Sequence, residues 1–344
     1  MNYELKVVKI GVPLALAVGI LWWMYRGIGW EELVDALSHQ MSWTWMLLSM
    51  PFGILAQVLR AMRWRQVLAP AGERPRLSTC THAVFLSYAS SLVVPRVGEV
   101  LRCGVLKRYE GTDFSCCVGT VVTERIIDTV LILVLSLLTF LTQIPVFLTF
   151  FQETGVSLGS VLGSFSLTGW IVTAVCGMLA LLCIVSLLRL FQRRSEDRGG
   201  SSLLRGLGAG WGRLLDGISS VKEVENPLLF ILYSIGIWVS YYLHFYLTFF
   251  CFDFTAELGP LTALVAFVVG TFAVLVPTPN GAGSWHFAVK TVLVLYGVGQ
   301  TDAALFVLIV HTLQTLLVAL LGVWSSVALA YLFPKNLGDK QKKH

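Results

Sequence analysis

The sequence predicts an all-α polytopic membrane protein with about six full transmembrane helices plus two re-entrant helical hairpins in an inverted pseudo-repeat. Of its 344 residues, 56% are hydrophobic and only 13% are charged, whereas a soluble domain is about one quarter charged. Several apolar stretches reach the roughly 20 residues that a helix needs to cross a bilayer. Two other apolar regions are broken by Pro, Gly and charged residues, which is typical of transport sites at membrane depth.

Six stretches are long and apolar enough to be predicted as full spans. They are 5–26, 43–62, 115–142, 162–188, 227–252 and 303–332. The two interrupted regions, about 78–110 and 258–298, contain halves that are too short or too charged to span comfortably.

Basic residues predict which loops face the cytoplasm. They concentrate after the second span, in the central loop and in the C-terminal tail, whereas the loops at 27–42, 143–160 and 253–259 contain no Lys or Arg. We therefore expect a multi-pass protein of the plasma (inner) membrane with both termini in the cytoplasm.

The interrupted regions are predicted to re-enter because of the order of the helices. If 78–94 crossed fully, Arg96, Arg102 and Lys107 would lie outside, against the positive-inside rule. A hairpin that enters from the cytoplasm avoids this, and the second hairpin must then enter from the opposite face. Two pairs of tilted full spans would leave the later helices in the same orientation across the membrane, so this alternative stays open.

This topology divides the chain into three parts. An N-terminal membrane half, 1–188, contains the first hairpin. A Gly/Ser/Arg-rich segment at 189–226 turns amphipathic and is predicted to be a cytoplasmic linker on the inner leaflet. A C-terminal membrane half, 227–344, contains the second hairpin and a basic tail. The sequence does not indicate an oligomeric state.

The first candidate site combines the break at 95–98 with charges in the following helices. Glu99 and Arg102 share one helical face, and Glu124 and Asp128 share another. A charge at the bilayer centre costs about 2.5–3.5 kcal/mol, so this group must pair or line water. Arginine near a helix N-terminus suits a phosphate; alternatively, Arg96–Glu99 and Arg102 with Glu124 or Asp128 are ion pairs that hold the hairpin. The candidate substrate-binding residues are Arg96, Glu99, Arg102, Lys107, Glu124, Arg125 and Asp128, with Pro95 and Gly98 as structural breaks.

The second candidate site is the break near residue 280. Asn280 tolerates left-handed backbone, Ser284 is predicted to cap the helix that starts at Trp285, and His286 shares a face with Lys290. The alternative is an ordinary helix-breaking loop. The candidate substrate-binding residues are Asn280, Ser284, His286 and Lys290, with Pro277, Pro279, Gly281 and Gly283 as breaks.

Other polar residues receive structural interpretations. Arg60, Arg63 and Arg65 are expected to mark a helix end by snorkelling to the inner surface, with lipid-headgroup contact as an addition. His311 and Gln314 are expected to make interhelical hydrogen bonds.

Several function classes lack their motifs. The sequence contains no GxxxxGK[ST], HExxH or GxSxG pattern and no Cys/His metal set, so no nucleotide motor, metal or cofactor is expected. No basic patch interleaved with aromatic residues suggests a nucleic-acid partner. The chain is therefore not expected to be an enzyme.

Four ordered motifs resemble the lysylphosphatidylglycerol synthase transmembrane-region family. Pro95-Arg96-Val97-Gly98-Glu99 with Arg102 is similar to its Pro-Gly-Arg-x-Gly-Glu-x-x-Arg pattern, and Glu124-Arg125 with Asp128 is similar to its Glu-Arg-x-x-Asp. The segments 277–283 and 59–64 also fit. The resemblance implies a flippase-like domain with an approximate internal inversion.

The sequence departs from the family pattern at two places. Arg96 follows Pro95 without the intervening Gly, and Trp285-His286 stands where many relatives carry Arg-Glu. The aminoacyl-transferase domain of some relatives has no counterpart here, so lysine transfer from tRNA is not expected.

The resulting hypothesis is a flippase that moves an anionic lipid or lipid-linked intermediate between leaflets. Arg96, Arg102 and Arg125 would meet the headgroup, and the nearby carboxylates would orient them. Membrane lipids are the expected partners. Two alternatives remain: a polyprenyl-phosphate or lipid-phosphate processing enzyme, and a non-transporting partner of a lipid synthase or glycosyltransferase.

Overall fold

A computed structural model describes residues 18–22, 24–27, 29–94, 97–143, 223–276 and 278–332. The chain divides into two units, one formed by 1–139 and 214–344 and the other by 140–213. All elements discussed below belong to the first unit, apart from the last turn of one helix. The predicted span 162–188, the basic tail, Pro95, Arg96 and Pro277 lie outside the described residues, as do most of the first span and the linker.

Every regular element in the described part of the chain is helical. In chain order these are α1 (Trp30–Asp35), a π-helical turn (Ala36–Gln40), α2 (Trp43–Leu68), α3 (Leu77–Ser91), α4 (Val97–Glu110), α5 (Phe114–Thr142), α6 (Pro227–Tyr246), a 3₁₀ turn (Leu247–Cys251), α7 (Asp253–Ala256), α8 (Gly259–Ala273), a 3₁₀ turn (Pro279–Gly281), α9 (Ser284–Leu295) and α10 (Gln300–Leu332).

Four helical segments of the described chain are long and apolar enough to cross a membrane: Trp43–Leu68, Phe114–Thr142, Pro227–Cys251 and Gln300–Tyr331. They correspond to four of the six predicted spans, which confirms the all-α membrane class. The full number of spans and the re-entrant course of the hairpins stay predictions.

The first interrupted region forms a helical hairpin, α3 and α4, whose helices pack on each other. They contain 15 and 14 residues, about 22 Å of helix at 1.5 Å per residue, whereas the hydrocarbon core is about 30 Å thick. Gly98 allows α4 to begin directly against α3, since a Cβ at this position would lie 2.0 Å from the Ser87 carbonyl oxygen.

The second interrupted region is a similar pair, α8 and α9, of 15 and 12 residues. Gly270 of α8 makes room for the Trp285 ring, because a Cβ there would lie 2.8 Å from the indole nitrogen. The connection requires left-handed backbone at three places: Asn280, Gly281 and Gly283, with φ of 52°, 70° and 84°.

Two apolar clusters hold the described helices together. The larger one joins α6, α8, α9 and α10 around residues such as Phe249 and Phe306. The smaller joins α2, α3, α4 and α5 around Trp64, Cys80 and Leu106. Helix α5 exposes a broad apolar face, as expected of a helix that contacts lipid.

Candidate functional site

Five charged side chains meet beside the smaller apolar cluster, where α2, α4 and α5 converge. We call them the charge cluster: Arg60, Arg63, Arg102, Glu124 and Asp128. Each is at least nine-tenths buried, and Arg63 and Glu124 are completely buried.

Salt bridges connect all members of the charge cluster. Arg60 Nη1 lies 2.6 Å from Asp128 Oδ2 and 3.7 Å from Glu124 Oε1. Arg63 Nη2 lies 2.7 Å from Asp128 Oδ1 and 3.1 Å from Glu124 Oε1. Arg102 Nη2 approaches Glu124 Oε2 to 2.6 Å. The two carboxylates on α5 thus bind arginines from two other elements.

Helical periodicity explains this convergence. Arg60 and Arg63 are three residues apart on α2, and Glu124 and Asp128 are four apart on α5, so each pair points in one direction. Arg102 arrives from the hairpin, where its guanidinium lies 4.6 Å from the centre of the Trp64 ring. The Trp64 indole in turn donates to Thr120 Oγ1 of α5 at 2.9 Å.

The charge cluster has more positive than negative charge. Its three guanidinium groups face two carboxylates, which leaves a formal charge of +1. The Nε atoms of Arg60, Arg63 and Arg102 are buried and have no hydrogen-bond acceptor among the residues that the structure describes. An unsatisfied buried donor costs about 1–3 kcal/mol, so this site suits an incoming anion.

A second, half-exposed ion pair lies at the edge of the charge cluster. Arg125 Nε is 3.4 Å from Glu99 Oε1, and Arg125 Nη2 is 3.2 Å from Asp128 Oδ2. Both residues line a shallow groove of about 360 Å³ whose remaining walls include the apolar side chains of Val122, Ile126 and Val130. The groove therefore joins an apolar, lipid-type surface to the Glu99–Arg125 pair at the edge of the charge cluster.

The second candidate site is a hydrogen-bonded loop against α10. The Asn280 side-chain amide donates to Thr315 Oγ1 at 2.7 Å, and the backbone carbonyl oxygen of Asn280 accepts from His311 Nε2 at 3.2 Å. The His286 and His311 ring centres are 4.4 Å apart, and Trp285 packs on both rings. These bonds hold the left-handed loop in place.

The structure groups some of the predicted site residues and separates others. Glu99, Arg102, Glu124, Arg125 and Asp128 come together as predicted, including the Arg102–Glu124 pair. The other predicted residues lie elsewhere. Lys107 is exposed near the end of α4. Asn280, Ser284 and His286 lie at the second loop, and Lys290 lies one turn beyond His286 on α9. That any of them contacts a substrate stays a prediction.

Two interpretations from the sequence are wrong. Arg60 and Arg63 do not snorkel, because α2 continues to Leu68 and buries both between carboxylates. Their spacing of three residues, matched to Glu124 and Asp128, was the available signal. Ser284 does not cap α9 through its side chain, since its hydroxyl donates backwards to the Gly281 carbonyl at 3.2 Å.

Two interpretations concern hydrogen bonds between helices. The expected interhelical bonds of α10 are confirmed, with Gln314 Nε2 donating to the His244 carbonyl oxygen at 3.0 Å. The alternative pairing of Glu99 with Arg96 lies outside the described residues. Within them, Glu99 contacts Arg125.

Long apolar helices around a buried ionic site define an integral helical membrane protein. The family model for the lysylphosphatidylglycerol synthase TM region matches residues 10–322, nearly the whole chain, and the protein belongs to this family. Family membership indicates a role connected with membrane lipids. No curated protein and no solved structure matches the chain.

Proposed function

We propose that this protein moves lipids with an anionic headgroup between the two leaflets, and that the charge cluster attracts the headgroup. The observation that carries the proposal is the charge cluster's formal +1 charge together with its unsatisfied guanidinium donors. A phosphate offers negative charge and acceptor oxygens, so it would supply the partner that these guanidinium donors lack.

The groove beside Arg125 supports an entry route from the membrane. A headgroup at the Glu99–Arg125 pair would leave the acyl chains along Val122, Ile126 and Val130, which are exposed on α5. The lipid would therefore keep its tails in the bilayer while its phosphate exchanges water for guanidinium groups. This arrangement needs no closed pocket for the tails.

The carrier hypothesis fits the second site better than the enzyme alternative does. A phosphate-processing enzyme would need Ser284 or His286 as a nucleophile or base. The Ser284 hydroxyl is directed to the Gly281 carbonyl, and His286 Nδ1 accepts the Gly283 N–H at 3.3 Å. These bonds favour a structural use of both side chains.

Reconstitution in vesicles tests the proposal. The wild-type protein should move a fluorescent anionic phospholipid between leaflets, and Arg125→Gln should slow the movement about tenfold, since a charge-assisted hydrogen bond contributes about 1.5 kcal/mol or more. Arg125 is preferable to Arg102 because it is half-exposed, so its loss does not strand a buried carboxylate.

The matched control is Arg74→Gln, which removes an exposed arginine whose ion pair in the described part of the chain is with the exposed Glu225 at 3.4 Å. Wild-type rates are expected for it. Equal rates for both variants, or no lipid movement by the wild type, would overturn the proposal. Release of inorganic phosphate from a lipid phosphate would instead support the enzyme alternative.

A further inference from the structure

The second site contains two histidines, the buried His286 and the partly buried His311, whose ring nitrogens contact hydrogen-bonding groups. The Gly283 N–H can only donate, so His286 Nδ1, at 3.3 Å, carries no proton. The backbone carbonyl oxygen of Asn280 can only accept, so its 3.2 Å contact with His311 Nε2 needs a proton on that nitrogen. The Asn280 side-chain amide nitrogen lies farther away, at 3.5 Å from the same atom. Thr315 Oγ1 accepts from the Asn280 amide and faces His311 Nδ1 at 3.4 Å. With Nδ1 unprotonated, the His286 imidazole is therefore neutral in this arrangement.

A proton on His286 would disrupt the loop. Nδ1 would change from acceptor to donor while it faces the donor N–H of Gly283. His286 also lies in the first turn of α9, where the positive end of the helix dipole disfavours a cation. The loop that it supports has three residues with positive φ, and these conformations persist only while their surroundings hold them.

The groups around the histidine pair would not neutralise a second charge. Helix α8 contributes no titratable residue, and the 3₁₀ turn contributes none. Helix α10 contributes His311, with Asp302 nine residues earlier, about 13 Å along the axis. The other titratable neighbours among the described residues are Tyr25, whose ring is 5.8 Å from His286, and Lys290 on α9. With ring centres 4.4 Å apart, the pair has room for one proton only.

We propose that the His286–His311 pair binds one proton, that this proton releases the 278–283 loop, and that lipid movement is thereby coupled to proton movement. The coupling rests on the function proposed above, whereas proton binding and loop release do not.

Backbone amide exchange tests proton binding without any transport. Amide exchange of the 278–290 segment is compared in wild type and His286→Gln from about pH 8 to about pH 5. The ratio of the two exchange rates is taken at each pH, because it cancels the pH dependence of intrinsic amide exchange. Gln can accept the Gly283 N–H but does not titrate. The wild-type to variant ratio should rise at least about fivefold towards low pH, and a ratio that stays constant would overturn the inference. If the Gln variant does not purify as a folded protein, His286→Asn takes its place in the same comparison.

Lipid movement across the same pH range tests the coupling. The wild-type rate should change at least about fivefold, and the His286→Gln rate should stay within about twofold. The exposed His39 of the π-helical turn provides the control, and His39→Gln should keep the wild-type profile. A pH-dependent exchange ratio with identical transport profiles would overturn the coupling. Absence of lipid movement at every pH would overturn the proposed function, and the exchange ratio would still decide whether the proton site exists.

Discussion

At the scale of single residues, each buried charge of the charge cluster depends on its partners for stability. Glu124 contacts Arg60, Arg63 and Arg102, and all four side chains are at most 4% exposed. Because each charge was removed from water, each is stable only while its partners remain. Replacing one member therefore affects more than one contact.

Glu124→Gln tests this dependence. Three guanidinium groups would then share the single carboxylate of Asp128, and we expect the free energy of unfolding to fall by about 3–5 kcal/mol, as for other broken buried pairs. Thermal or denaturant unfolding in detergent measures it. Glu31→Gln, at an exposed carboxylate of α1, should change stability by less than about 0.5 kcal/mol. Equal effects of the two substitutions would contradict the buried network.

The sequence predicted part of this site because the relevant signal is local. Glu124, Asp128 and Arg102 are charges in or beside apolar helices, where lipid would reject them unpaired. The roles of Arg60 and Arg63 could not be found in the same way, because an arginine near a predicted helix end has snorkelling as its simplest explanation. Only the length of α2 beyond residue 62 and the position of α5 distinguish burial from snorkelling.

At the scale of elements, each interrupted region is a pair of short helices joined at a close approach. The α3–α4 pair depends on Gly98 and the α8–α9 pair on Gly270, both of which contact a neighbouring element within van der Waals distance. The Pro and Gly residues in the sequence predicted the breaks themselves. They did not predict the hydrogen bonds of the second loop, because these come from Thr315 and His311, which lie more than 30 residues later on α10.

Gly98→Ala and Gly104→Ala form a matched test of the first hairpin. Both add one methyl group to α4. At position 98 the methyl would lie 2.0 Å from the Ser87 carbonyl oxygen, whereas at position 104 no atom lies within 4 Å.

We expect Gly98→Ala to lower the free energy of unfolding by at least about 1–3 kcal/mol, because backbone must move. Gly104→Ala should leave it unchanged or raise it by up to about 1 kcal/mol, since Ala favours helix. The measurement is the unfolding midpoint of each variant in detergent. A Gly98→Ala midpoint equal to that of Gly104→Ala would rule out the close contact.

At the scale of the whole molecule, the central question is how the two helix pairs sit in the bilayer. Helices of 12 to 15 residues are about 18–22 Å long, so neither pair reaches across a core of about 30 Å. Hydropathy predicted the interruptions, yet it could not separate re-entry from tilted spans, because both give the same parity. Helix length is what favours re-entry.

Cysteine labelling at the hairpin tips tests this arrangement in a cysteine-free background. Val93→Cys and Val276→Cys lie on exposed surface of the protein, so only the membrane can shield them. Both should resist an impermeant thiol reagent from either side. Arg74→Cys should react only from the cytoplasmic side and Glu257→Cys only from the outer side. Reaction of Val93→Cys from the outside would show that α3 spans the membrane.

The central claim is that the charge cluster receives anionic headgroups inside the membrane. Its most direct test is photocrosslinking with an anionic lipid that carries a photoreactive headgroup. After irradiation in vesicles, peptide mass spectrometry locates the adducts. We predict adducts at Glu99–Arg102 and at 121–129, about tenfold fewer of them in Arg125→Gln, and no loss in Arg74→Gln. Adducts spread evenly over the exposed apolar helix faces, and equal in both variants, would contradict the account.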